Sequence, residues 1–301
     1  MDSMNGRSRY SPWLVLARRW ALALLLAGAL AGVPAGCGGG YETTTGRGDQ
    51  VKEWHLPLEG GKVEAMAVWP PGDGPRPALL LIHEGTGRAQ HFRRSLFRLS
   101  REGLVAMSIS LPGFGDSTGP EDFAGPRSVA AVLKAVKYLS ERQDVLKNGV
   151  VIYGSGQGAT VALLAALRSP SVALLALETG VYDLKRAWRK LPPTLRERLR
   201  ATLGGSPEKN PTAFRKRSPA SRVGAFRGPM LIMHSKDARK YPLSESEGLA
   251  GVLRSAGRPF RFIITRGRLR EFHPGHPSIK RWVIPFIGDY LPLEKSIYPE
   301  R

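Results

Sequence analysis

The sequence predicts a single α/β domain in which helices cover both faces of a mostly parallel sheet. Three observations carry this. Short apolar runs alternate with helix-period segments from residue 51 to about 293. The interior runs are close to continuously apolar, as in strands buried on both faces. The two leading strands have no helix between them, which predicts an antiparallel start to the sheet.

The elements follow in order. "VKEWHL" (51–56) and "KVEAMAVW" (62–69) alternate with period two between Gly and Pro, the pattern of half-buried strands. "PALLLIH" (77–83) is a continuous apolar strand, "RRSLFRLSREG" (93–103) a helix with a glycine stop, and "LVAMSIS" (104–110) a second buried strand. "GPRSVAAVLKAVKYLSER" (125–142) places Val129, Val132, Leu133, Val136 and Leu139 on one helical face. The strand "GVVIYG" (149–154) runs through a glycine cluster into a small-residue helix, and "SVALLALE" (171–178) is the next strand. After a polar excursion come the strand "GPMLIMH" (228–234), the helix "ESEGLAGVLRSAG" (245–257), the strand "FRFIIT" (260–265) and a last helix from about Pro277 to Leu291, leaving a tail over 294–301.

Composition agrees with one good-sized globular domain: 301 residues, 42% hydrophobic, with 35 Gly and 24 Pro. A single cysteine excludes an intramolecular disulfide. The formal net charge is +20. Residues 1–36 hold four Arg and one Asp, so the remainder has 41 basic and 24 acidic residues, a net +17. Between Lys185 and Arg227 stand thirteen Lys or Arg against only Glu197 and Glu208. That segment has three readings: a solvated helical face, a patch for anionic lipid headgroups or cell-wall polymers, or a field that steers an anionic ligand. No nucleic-acid module is recognisable, so nucleic acid is not an expected partner.

The N-terminus is set apart from the domain. Arg7, Arg9, Arg18 and Arg19 precede "WALALLLAGALAGV" (20–33), which is shorter than the roughly 20 residues of a membrane span and of normal length for a signal-peptide core. "PAGC" then places Cys37 after small residues, and "GGGYETTTGRGD" follows as a polar spacer. This resembles a bacterial lipoprotein signal. The resemblance implies removal of residues 1–36, lipidation of Cys37, a flexible linker over 37–50, and export to the cell envelope. Pro34 departs from the usual aliphatic residue there. An ordinary secretion signal and an uncleaved anchor are the alternatives.

The strand order and loops resemble the α/β-hydrolase superfamily over residues 51–293. "PRPALLLIHEGTG" (75–87) is similar to its third strand and oxyanion loop, and "ISLPGFGDSTGPEDF" (109–123) to the loop after the next strand. "ETGVYDL" (178–184) and "SPASRVGAFRGPMLIMH" (218–234) resemble the catalytic domain of the prolyl oligopeptidase family. "IHEGTG" is also similar to the dienelactone hydrolase family, which carries a glutamate there. The expected fold is therefore an α/β-hydrolase fold with a small basic helical cap inserted at about 184–227. The implied activity is that of a serine hydrolase, a peptidase or esterase, acting through a Ser-Asp-His triad.

Register then decides what the triad positions hold. In G-x-S-x-G the nucleophile sits on a strained strand-to-helix turn, with small residues two places before and after it. Gly154, Ser155, Gly156, Gln157 and Gly158 align so that Gly156 takes the nucleophile position and Ser155 a variable one. Making Ser155 the nucleophile would put Tyr153 and Gln157 at the crowded places. In "HSKDARKYP" (234–242) the acid position falls on Ala238, with Asp237 one residue early. In "GRLREF" (267–272) the histidine position falls on Arg270, with His273 and His276 nearby. The oxyanion-type backbone donors are expected near Gly85 and Gln157. Glu84 is read either as a pocket acid or base or as a loop carboxylate paired with an arginine. Asp116 and Asp183 are read as loop structure, and His83 and His234 as hydrogen-bonded structural histidines. No metal-ligand spacing or phosphate loop is visible, and no cofactor is expected.

Three functions follow. The leading one is an envelope-tethered pseudohydrolase without the standard triad that binds an ester- or peptide-like ligand. The second is an active serine hydrolase using a displaced set of Ser155, Asp237 and His273 or His276. The third is an adhesion protein for anionic surfaces. Oligomeric state is left open.

Overall fold

Eight strands form one sheet in the computed structural model, which describes residues 51–266 and 278–293. They are β1 (Lys52–Leu58), β2 (Gly61–Val68), β3 (Arg76–Ile82), β4 (Val105–Ile109), β5 (Val145–Ser155), β6 (Val172–Glu178), β7 (Met230–Ser235) and β8 (Phe260–Thr265). Their spatial order is β1-β2-β4-β3-β5-β6-β7-β8. β2 pairs antiparallel with β1 and β4, and every other neighbouring pair is parallel. The antiparallel start read from the helix-free connection is present.

Period-two alternation along the buried strands divides the core into two layers. On one face Ala78, Leu80, Ile82, Val150 and Ile152 meet α2 (Pro126–Ser140), α3 (Gln157–Ala166) and α7 (Leu243–Ser255). On the other face Leu79, Leu81, Val151 and Tyr153 meet α1 (Arg93–Arg101) and α8 (Ile284–Gly288). All ten residues of α3 are buried, because neighbours enclose this helix on every side. In α2 the buried stripe is centred on Val129, Val132, Val136 and Leu139 and includes Ala131 and Ala135, while Leu133 lies at its edge.

Two elements depart from their expected bounds by more than two residues. β5 begins at Val145 rather than Gly149, since Val145 pairs with Arg76 ahead of a register shift. The last helix is shorter than Pro277–Leu291: a wide π turn over Ile279–Val283 leads into α8, which ends at Gly288. Pro285 offers no N–H, so the regular bond to Arg281 is missing there.

The basic insertion folds as α4 (Leu184–Ala187), α5 (Pro193–Leu203) and α6 (Pro211–Lys216). Leu195, Leu199 and Leu203 recur every fourth residue, so α5 turns one apolar stripe inward. The stripe packs with Trp188, Phe214, Phe123 and Tyr241 in a third cluster. Arg217 ties this cap to the domain. Its guanidinium donates to the carbonyls of Asp122 and Phe123 at 2.9–3.0 Å, and to Ala213 O at 3.1 Å. These bonds hold Phe123 (φ 40°) and Ala124 (φ 56°) in left-handed conformations that such residues rarely adopt. Replacing Leu199, which is fully buried, by Ala should cost roughly 2–5 kcal/mol in urea unfolding through the cavity it leaves.

Candidate functional site

The site forms where β5 turns into α3. Gly156 makes that turn at φ 54°, ψ −119°, and its N–H donates to Glu178 O at 2.8 Å. This conformation suits glycine and strains any other residue. The turn is tight on both sides. A Cβ on Gly154 would collide with the Gly158 carbonyl, and one on Gly158 would stand 2.5 Å from His83 O. The sequence register is thus realised, with Gly156 on the turn and Ser155 as the last residue of β5.

A carboxylate fills the space that a side chain on Gly156 would need. Glu84, fully buried in the loop after β3, sets Oε2 where a Cβ on Gly156 would overlap it. That oxygen accepts the Gln157 N–H at 2.6 Å. Oε1 accepts the Lys240 ammonium in an ion pair and the Tyr241 hydroxyl at 3.1 Å. The Gln157 N–H is the first of α3, so the positive end of the helix adds to the attraction. Three donors, one of them a cation, therefore converge on one carboxylate. The partner expected for Glu84 was an arginine; Lys240 takes that place because the loop after β7 directs it across the turn.

The Gln157 carboxamide is also buried, and its Oε1 and Nε2 have no hydrogen-bond partner among the described residues. It lies against Gly85, where a Cβ would come within 2.5 Å of Oε1. From the cap, Arg198 donates to Gly85 O at 2.7 Å and pairs with Glu121 at 2.5 Å. Helix α5 is thereby fastened to the loop that carries Glu84.

The remaining candidates are placed as follows. Ser155 pairs with Glu178 across β5 and β6. Its hydroxyl meets the Tyr153 hydroxyl, which donates to Glu178 Oε2. Burial raises Tyr153 well above the ordinary phenol range, and the Glu178 charge adds to this. Asp237 is exposed in the turn after β7, with Ala238 following it. Arg270, His273 and His276 lie outside the described residues, as does Cys37.

His83 and His234 are structural. Leu111 N–H donates to His83 Nε2 at 2.9 Å, so Nδ1 carries the proton and donates to Glu84 O at 2.6 Å. His234 Nε2 faces Tyr241 O at 3.3 Å, and Nδ1 faces Ser246 Oγ at 2.8 Å. Asp183 caps α4 by accepting the Arg186 N–H at 3.0 Å, and Asp116 sits between His55 and Lys62. Sequence reasoning missed Lys240, Tyr241 and the buried Glu245. The last joins α7 to the cap by accepting the Tyr182 and Asp183 N–H groups at 2.9 and 2.7 Å.

Strand order, the glycine-bounded turn and the covering cap define an α/β-hydrolase fold. Residues 123–268 match the prolyl oligopeptidase family. It is 23% identical over 202 residues to an uncharacterized peptidase, YtmA, of Bacillus subtilis, covering 66% of this chain and 78% of that one. A puromycin-hydrolyzing peptidase of Mycobacterium tuberculosis superposes with a TM-score of 0.69 at 18% identity, over 81% of this chain and 40% of that one. The acylaminoacyl peptidase of Pyrococcus horikoshii gives 0.66 at 16%, over 84% and 43%. The match thus spans less than half of either solved chain, and at these identities the likeness is one of fold.

Burial lowers both structural histidines to a pKa of about 4 from 6.5. Unfolding lets them take up protons between those values, so their contribution is present above pH 6.5 and is lost as pH falls toward 4. Urea unfolding at pH 4.5 should show about 2–3 kcal/mol less stability per histidine than at pH 7, with a smaller drop in His83→Gln.

Proposed function

We propose that this chain is a binding protein on a serine-hydrolase scaffold and does not carry out acyl transfer. One observation carries the reading: the turn that presents a nucleophile holds Gly156, and the Glu84 carboxylate fills the volume beside it. Glu84 also occupies the Gln157 N–H, the backbone donor that would face a developing oxyanion. The negative charge placed there repels the second one that a tetrahedral intermediate would bring. A serine at 155 has no positioned histidine beside it among the described residues, and a hydroxyl without a base stays protonated. The reading supports an ester- or peptide-like ligand held under the cap.

The proposal includes export and a lipid anchor on Cys37, which rest on the "PAGC" motif after the apolar run. The exposed Lys185, Arg189, Lys209, Arg215, Lys216, Arg222 and Arg227 favour an anionic envelope surface as neighbour. Each such charge near the surface contributes on the order of 1 kcal/mol.

Labelling with a fluorophosphonate probe tests the reading. Residues 38–301 and their Ser155→Ala variant should both remain unlabelled while folded. Labelling of the parent that disappears in the variant would mean an activated Ser155 and would overturn the reading. Gly156→Ser should lose about 2–4 kcal/mol in thermal unfolding, through backbone strain and overlap with Glu84. Adding Glu84→Gly should recover the overlap part of that loss.

A further inference from the structure

The groups around Glu84 form an anion nest that the chain fills with its own side chain. The Gln157 N–H at the start of α3, the Lys240 ammonium and the Tyr241 hydroxyl meet at one carboxylate. Lys240 is about a quarter exposed (26%), so the nest has a solvent edge, whereas Glu84 itself is 1% exposed. Beside it the buried Gln157 carboxamide offers a donor pair and an acceptor that nothing among the described residues uses. A buried amide left unpaired destabilises the fold, and a ligand that pairs it recovers that cost.

We propose that the nest takes the free carboxylate of an N-acylated amino acid or a peptide C-terminus, which replaces Glu84 there. This deepens the binding reading above and rests on it. The charge matches, because one monoanion leaves and another enters, and Lys240 keeps a partner. The amide one bond away from such a carboxylate carries an N–H and a C=O, the complement of the Gln157 carboxamide. Only the Glu84 side chain has to swing. The backbone around it stays anchored through His83, which bonds Glu84 O, and Arg198, which bonds Gly85 O. A ligand whose carboxylate is capped as an amide cannot make the exchange, since Lys240 would be left beside a neutral group.

Glu84 competes from within the chain, so the apparent affinity is the intrinsic one reduced by the fraction of molecules in which the nest is vacant. Calorimetric titration of the mature protein with N-acetyl-Ala-Ala, with its C-terminal amide and with acetate tests the proposal. The acid should bind saturably and the amide should not. Glu84→Ala should tighten the acid tenfold or more, and Lys240→Ala should weaken it by a similar factor. Gln157→Leu, shown to be folded, should narrow the preference for N-acetyl-Ala-Ala over acetate. Equal binding of acid and amide would overturn the proposal, as would saturable binding to neither the parent nor Glu84→Ala. If Glu84→Ala fails to fold, the acid and amide arms on the parent decide alone. Fluorophosphonate labelling of Ser155 would sink the non-acylating reading separately, since the titration does not depend on that serine.

Discussion

The Glu84 carboxylate at the N-terminus of α3 is the contact on which the rest of the site depends. It joins the loop after β3, the turn at Gly156 and the loop after β7 through one backbone N–H and two side chains that lie 73, 156 and 157 residues away in sequence. The arrangement is possible only because residue 156 has no side chain. A carboxylate so placed satisfies the first amide of a buried helix and needs a cation beside it, which Lys240 supplies. The same interaction puts a negative charge where acyl transfer would build one.

The fold supplies the rigid parts that hold this contact. β3 and β5 are adjacent and parallel, so the loop carrying Glu84 and the turn at Gly156 leave the same edge of the sheet side by side. The close approach of Gly158 to His83 O sets how near the two come. From above, Arg198 links the cap to Gly85 and Glu121, and Arg217 fixes the base of the cap on the strained turn at Phe123 and Ala124. Arg186 does the same against the buried Glu245, so three of these cations have internal structural work, while Lys185, Arg189, Arg215 and Lys216 keep their charge in solvent.

Most of the fold was legible in the sequence because period-two runs and helix stops are local signals. The register of the turn was legible too, since Gly154 and Gly158 are required by backbone crowding and leave position 156 between them. The exact role of Glu84 was not legible: its partners come from the loop after β7, and no local pattern encodes a side chain that crosses the site. The same holds for the unpaired Gln157 carboxamide, which reads in sequence as an ordinary first residue of a helix. The regular part of the last helix was misread because the apolar pattern continues through Pro285, whose missing N–H removes the bond to Arg281 and leaves a π turn before α8.

The central claim is that Glu84 is held by Lys240 at the Gly156 turn. A double-mutant cycle in urea unfolding, using Glu84→Gln, Lys240→Met and the pair, measures that interaction directly. The account predicts a coupling energy of roughly 1–3 kcal/mol in favour of the native pair. Additive single-variant effects, with no coupling beyond measurement error, would contradict it and return Glu84 to the status of an ordinary loop carboxylate.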